Sequence, residues 1–170
     1  MTTLLKRMIG AARLDAQVYE DVEANPATTG AAVFVVVAAS VAASIGAGVS
    51  DVGGIIGVTV GAMATWMVWV GLTYVIGTRI LPESSTDATI GQVLRTTGFS
   101  ASPGILRIFG FMPVFGWLIF LTVTIWMLLS FVVAVRQALD YSGTGRAVAV
   151  CILGWVIHGL LFFGFVFTAI

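Results

Sequence analysis

The sequence predicts an all-α membrane protein: a bundle of five transmembrane helices with a short, proline-kinked third span and an amphipathic N-terminal helix at the membrane interface. Only 9% of the residues are charged, whereas a soluble domain carries about 25%. Four long blocks contain no Asp, Glu, Lys or Arg: residues 24–50, 52–78, 108–135 and 147–170. Each block is long enough to cross the hydrocarbon core of a bilayer as a helix, which takes about 20 apolar residues.

Four of the predicted spans follow from these blocks, at about Ala31–Val49, Gly54–Ile80, Phe115–Leu139 and Ala147–Ala169. The third span lies within Ile90–Met112, is weakly hydrophobic and is interrupted by Pro103. Proline lacks the backbone N–H and clashes with the preceding turn, so we expect a kinked or two-piece helix. The carbonyl oxygen that this break releases needs a partner in lipid, and Ser100 and Ser102 are close enough to provide one.

The basic residues predict the topology. If all five segments cross, the N-terminal segment is cytoplasmic together with the loop that holds Arg79 and Arg95 and the loop that holds Arg136 and Arg146. The turns on the other side then carry no Lys or Arg, as the positive-inside rule requires. If the third segment instead re-enters, Arg136 and Arg146 fall outside. The pattern therefore favours five spans, with the N-terminus in the cytoplasm and the C-terminus outside.

The polar N-terminal segment, residues 1–27, precedes a membrane domain of residues 28–170. Its first apolar and basic residues have the spacing of an amphipathic helix that lies on the cytoplasmic surface. A second short helix is predicted over Asp15–Ala24, with Asp15 as the N-cap. Its acidic residues are expected to face water: Glu20, Asp21 and Glu23.

Small residues predict how the first two spans pack. Helices associate in lipid through close backbone approach, which small side chains permit. The first span is rich in Ala, Ser and Gly, and the second carries two successive G-x-x-x-G steps formed by Gly53, Gly57 and Gly61. We expect a tight hairpin around Ser50–Gly53 with these glycines in the contact, although the same face is also suited to a homodimer.

The chain shows little sign of catalytic chemistry. The only histidine, His158, lies near the middle of the fifth span, and Arg107 lies within the third, so both are candidate intramembrane polar sites. His158 is either a neutral imidazole bonded inside the bundle or a contact for a pigment or quinone. We predict no enzyme, no metal and no cofactor. Because the eight basic and eight acidic residues cancel, no global basic face for nucleic acid is expected.

Three stretches of the chain resemble the bacterial members of the Yip family (Ypt-interacting-protein, or Yip-domain, membrane proteins). They are RLDAQVYEDVEANPATTGAA (Arg13–Ala32), SASPGILRIFGFMPVFGWL (Ser100–Leu118) and VAVRQALDYSGTGRAVAVCILGW (Val133–Trp155). The resemblance covers nearly the whole chain and implies a five-span bundle with a cytoplasmic N-terminus. Eukaryotic relatives are associated with Rab-type GTPases, vesicle traffic and membrane shaping, but they carry an acidic-tyrosine-glycine-proline motif that is not found here.

The leading functional hypothesis is a non-enzymatic protein of the bacterial cytoplasmic membrane that acts through contacts with lipids, other membrane proteins or a second copy of itself. Its contact surface would be a polar cluster on the cytoplasmic side, formed by Arg136, Gln137, Asp140, Tyr141 and Arg146, with Arg79 and Arg95 nearby. The alternative is a small accessory subunit of a redox or photosynthetic membrane complex. A transporter is disfavoured because the second, fourth and fifth spans hold no Asp, Glu or Lys.

Overall fold

The computed structural model describes the backbone of residues 3–168 and the side chains of residues 3–160. This part of the chain forms helices, turns and loops and contains no β-strand. Its α-helices are α1 (Thr3–Ala12), α2 (Ala16–Ala24), α3 (Thr29–Gly46), α4 (Val52–Val75), α5 (Ile90–Ser100), α6 (Gly116–Ala138) and α7 (Thr144–Thr168). Three other helical pieces complete the fold: a 3-10 turn (Pro26–Thr28), a π-helical turn (Ile76–Ile80) and a long 3-10 segment (Ser102–Phe111).

Three helical stretches among the described residues are long and apolar enough to cross a membrane: Pro26–Gly46, Val52–Ile80 and Gly116–Ala138. The part of α7 from Thr144 to Leu160 is a shorter apolar helix. The predicted all-helical fold class is therefore confirmed, and the long helices match three of the predicted spans.

The third predicted span consists of two pieces, as expected. Helix α5 ends at Ser100, and the 3-10 segment begins at Ser102 with Pro103 in its first turn. The Ser102 hydroxyl donates to the carbonyl oxygen of Phe99 at 2.6 Å, and the Ser100 hydroxyl donates to that of Thr97 at 2.7 Å. The two serines therefore satisfy carbonyl groups at the break, as the sequence predicts.

Helix α5 and the 3-10 segment run beside α3 in the same direction. A Cβ atom built on Gly98 would lie 2.8 Å from that of Ala32, near the start of α3. At the other end of α3, a Cβ atom on Gly46 would overlap the carbonyl oxygen of Arg107. The two-piece segment therefore extends along most of the length of α3.

The glycines predicted to join α3 and α4 do not do so. Helices α3 and α4 form the expected hairpin, but Gly57 and Gly61 have open space where a side chain would project. Gly53 meets only the Asp51 carboxylate of its own turn. Close backbone approach occurs instead between α3 and the third segment, because Gly46 and Gly98 face that contact.

The C-terminal ends of α4 and α6 lie together with the N-terminal ends of α3, α5 and α7. We call this region of the bundle the charged end. The side-chain contacts that hold it together include those of Tyr141 with Leu81, Arg146 with Glu83, and Gln92 with Glu23. At the opposite end, Trp117 is 69% exposed, as suits an aromatic residue at a membrane interface.

Helices α1 and α2, which we call the N-terminal hairpin, pack onto α5, α6 and the 3-10 segment. Tyr19 is completely buried, and its hydroxyl donates to the carbonyl oxygen of Ala11 at 3.2 Å. The Trp126 indole N–H donates to the carbonyl oxygen of Ala12 at 2.6 Å. Trp126 lies more than three turns, or about 18 Å, from the end of α6 at Ala138. The hairpin is therefore part of the packed core, while an interfacial position for α1 stays a prediction.

Candidate functional site

A pocket of about 290 Å³ opens at the charged end, and we call it the polar pocket. It is lined by Glu20, Arg136, Gln137, Asp140 and Tyr141. Four of these residues were predicted together from the sequence. The fifth residue, Glu20, is exposed on α2, as predicted, and accepts a hydrogen bond from Gln137 Nε2 at 2.9 Å. No sequence signal connects two residues so far apart in the chain.

The end of α6 shapes this pocket through a left-handed turn. Asp140 has a φ of 51°, and its N–H donates to the Gln137 carbonyl at 3.0 Å. The Tyr141 N–H donates to the Arg136 carbonyl at 3.0 Å, which completes a Schellman motif. The Arg136 guanidinium then donates to the carbonyl oxygens of Tyr141 and Ser142 at 3.3 and 3.2 Å. Arg136 thus stabilises the turn that presents the other pocket residues.

Glu83 joins the loop after α4 to the loop before α7. Its carboxylate accepts from the Ser142 N–H at 2.9 Å and pairs with Arg146 at 3.2 Å. The hydrogen bonds from Ser142, together with the nearby Arg146 charge, lower the pKa of Glu83 below its usual value. The Ser85 hydroxyl donates to the Asp140 carbonyl at 2.9 Å. Arg146 is therefore engaged with a neighbouring loop at the edge of the site.

Arg95 was predicted to lie near the contact surface, but its side chain is buried, with only 8% of the residue exposed. Its Nε donates to the carbonyl oxygens of Val22 and Glu23 at 3.0 and 3.1 Å, and its Nη2 also donates to the Glu23 carbonyl. These are the last carbonyls of α2, where a positive charge is favourable. Arg95 therefore anchors the N-terminal hairpin. Arg79, by contrast, is exposed on the π-helical turn and does not line the polar pocket.

The expectation that Glu23 faces water is wrong. Glu23 is 8% exposed, and its carboxyl group accepts a hydrogen bond from Gln92 Nε2 at 2.8 Å. Burial, together with the negative charge of Asp140, raises the pKa of Glu23 to about 7. The Asp15 N-cap of the same helix is confirmed, because its side chain accepts from the Gln17 N–H at 3.0 Å.

The two candidate intramembrane residues lie in different contacts. Arg107 donates to the Thr124 hydroxyl at 2.8 Å and lies 5.8 Å from the ring centroid of Phe120 on α6. His158 on α7 stacks against Trp69 of α4, with ring centroids 5.6 Å apart. The structure therefore does not bring them into one site. Among the described side chains, no group of three His, Cys, Asp or Glu is placed to hold a metal ion.

The helical fold, the apolar helices and the charges gathered at one end define a membrane protein. Comparison with protein families gives the same class and a more specific assignment. The family model of the Yip1 domain matches residues 15–166, so the chain belongs to the Yip1 domain family. This is a family of membrane proteins that is not known for enzymatic activity. No match was found among curated proteins or among solved structures.

Proposed function

We propose that this chain is a non-enzymatic, five-span protein of the bacterial cytoplasmic membrane that binds other membrane proteins or lipids through its polar pocket. The observation that supports this proposal is the pocket itself. It combines acidic, basic and amide side chains in an accessible cavity at the charged end. The long helices otherwise expose apolar side chains, such as Ile56, Leu121 and Trp155. The pocket therefore offers polar side chains for specific contacts with a partner.

Five spans are supported by the position of the third segment. Helix α5 and the 3-10 segment together lie along α3. Because α3 belongs to a stretch that is long and apolar enough to cross a membrane, the two pieces extend over a comparable depth of the bilayer. With five crossings, Arg79, Arg136 and Arg146 all lie on the cytoplasmic side, in agreement with the positive-inside rule. The C-terminus is then outside.

The topology is tested with single cysteines in a Cys151→Ser background. Because Cys151 is the only cysteine of the chain, each new thiol reports one site. We expect an impermeant reagent added to intact cells to label Ser50→Cys, and to label Ser142→Cys only after the membrane is permeabilised. Labelling of Ser142→Cys in intact cells would show that the third segment re-enters and would refute the five-span topology.

The contact surface is tested by a matched pair of charge reversals on α2. Glu20 lines the polar pocket, whereas the exposed Asp21 beside it does not. After crosslinking in native membranes, we expect Glu20→Lys to lower partner recovery at least tenfold, because it places a second cation beside Arg136. Asp21→Lys should leave recovery unchanged. Equal recovery from both variants, at equal membrane insertion, would exclude the pocket as the contact surface.

The same extract distinguishes the two settings in which such contacts occur. Migration on a native gel as a monomer or small oligomer supports a protein that works alone with transient partners. Migration within a large assembly of defined subunits supports the accessory-subunit alternative.

A further inference from the structure

Glu23 is the only acidic residue that is buried in the part of the chain whose side chains are described. It lies at the end of α2, where the N-terminal hairpin meets α5. The ionised form of a buried carboxyl group is costly unless a cation or several hydrogen bonds compensate for the lost water. The contacts around Glu23 therefore decide which form the folded protein favours.

The nearest cation does not neutralise the Glu23 side chain. Arg95 directs its Nε and Nη2 atoms to the backbone carbonyls of Val22 and Glu23, and forms no salt bridge with the Glu23 carboxylate. Gln92 provides the side-chain hydrogen bond. The Gln92 Oε1 atom accepts from the Thr89 N–H at 2.7 Å, which orients its Nε2 toward Glu23. A single amide donor compensates an ionised carboxylate only in part.

The charged surroundings of Glu23 also favour its neutral form. Asp140, at the end of α6, acts through its negative charge, and Glu20 adds a smaller effect of the same sign from one turn earlier in α2. The Gln92 hydrogen bond and the positive charge of Arg95 on α5 oppose them, and each is smaller than the effect of Asp140. The 3-10 turn after α2 has no charged residue, and the groups that shift Glu23 do not include the basic residues of α1, Lys6 and Arg7.

We propose that the docking of α2 onto α5 and α6 depends on pH, with Glu23 as the group that responds. When Glu23 is neutral, α2 lies in the position that the structure shows. When Glu23 is ionised, its burial beside Asp140 becomes unfavourable, and α2 undocks more often.

The direction of the effect follows from the pKa of Glu23, which is raised from 4.5 to about 7 in the docked state. The docked state therefore binds the proton more tightly than the undocked state. Docking is strongest below about pH 4.5 and weakens as the pH rises through about 7. By linkage, the docking equilibrium constant should be about tenfold lower at pH 8 than at pH 6.

Undocking of α2 would also take the polar pocket apart, because α2 supplies Glu20, which pairs with Gln137. Partner binding would then be stronger at acidic than at alkaline cytoplasmic pH. This consequence rests on the proposed function, whereas the docking equilibrium itself does not.

Hydrogen–deuterium exchange of the purified full-length protein, without any partner, tests the docking equilibrium. Protection factors for amides of α2 report rare opening events, and amides of α3 serve as the internal reference. We expect protection in α2 to be about tenfold lower at pH 8 than at pH 6. In Glu23→Gln, which mimics the neutral form, protection should be the same at both pH values. Asp140→Asn should reduce the response, because it removes the main charge that opposes ionisation.

Asp21→Asn is the matched control, because it removes an exposed acid from the same helix and should retain the wild-type response. The inference is overturned if α2 protection in the wild type does not change between pH 6 and pH 8. It is equally overturned if Glu23→Gln retains the full pH response. Neither result bears on partner binding, so failure here is distinguishable from failure of the proposed function.

Discussion

A Gly46→Ala variant is expected to lose about 1–3 kcal/mol of unfolding free energy or more, the typical cost of forcing an extra group into a packed core. The new Cβ atom would overlap the carbonyl oxygen of Arg107, with the backbone nitrogen of Gly110 3.3 Å away. Both neighbours are backbone atoms, so no side-chain rotation can relieve the overlap. Helix α3 and the 3-10 segment would have to separate. Unfolding of the purified protein in mixed micelles, followed by circular dichroism, measures the loss.

Gly57→Ala and Gly61→Ala are the controls for this experiment. A Cβ atom at either position has open space around it, and alanine is favoured over glycine in a helix interior by about 0.5–1 kcal/mol. Both variants should therefore be as stable as the wild type or slightly more stable. Suppose instead that Gly57→Ala and Gly61→Ala were destabilised while Gly46→Ala was not. The packing of α3 against the third segment would then be wrong, and the predicted packing of α3 on the G-x-x-x-G face of α4 would be supported.

An Arg95→Ala variant is expected to release the N-terminal hairpin from the bundle. Hydrogen bonds to a charged group contribute about 1.5–3 kcal/mol each, and the Arg95 guanidinium donates to two carbonyl oxygens, those of Val22 and Glu23. In the alanine variant, the Val22 and Glu23 carbonyl oxygens lose their hydrogen bonds from Arg95, so their burial against α5 becomes unfavourable. We expect a loss of roughly 3 kcal/mol or more and rapid proteolysis at Arg13, in the turn between α1 and α2.

Two further variants separate the causes of this effect. Arg79→Ala removes an exposed cation from the same end of the bundle and should leave both stability and proteolysis unchanged. Arg95→Lys keeps the charge but loses the planar fork that reaches two carbonyls, so an intermediate effect is expected. If Arg79→Ala were as sensitive as Arg95→Ala, net charge rather than hydrogen bonding would account for the result.

The features that the sequence predicts correctly are those with local causes. The break near Pro103 follows from the chemistry of one residue, and Ser102 compensates within the same turn. The N-cap at Asp15 is equally local. Long apolar blocks identify membrane helices because the bilayer sets their length. Neighbours in the chain are sufficient for all of these predictions.

The incorrect or missing predictions concern which residues meet across the fold. The spacing of Gly57 and Gly61 identifies one face of α4, but it does not show what faces that side of the helix. The positive-inside rule uses only the position of Arg95 between two spans, so it does not predict whether the guanidinium is exposed or buried. The pairing of Glu20 with Gln137, 117 residues apart, depends on the position of α2 on α6. Such contacts become visible only when the helices are assembled.

The packed N-terminal hairpin has a consequence for biosynthesis. Helices α1 and α2 are synthesised long before their partners, since Glu23 precedes Arg95 by 72 residues and Ala12 precedes Trp126 by 114 residues. Until α6 is made, the hairpin lacks its contacts with that helix and is less protected from chaperones and proteases. A chain that stalls before α6 therefore presents an incompletely docked hairpin, which distinguishes it from a finished molecule.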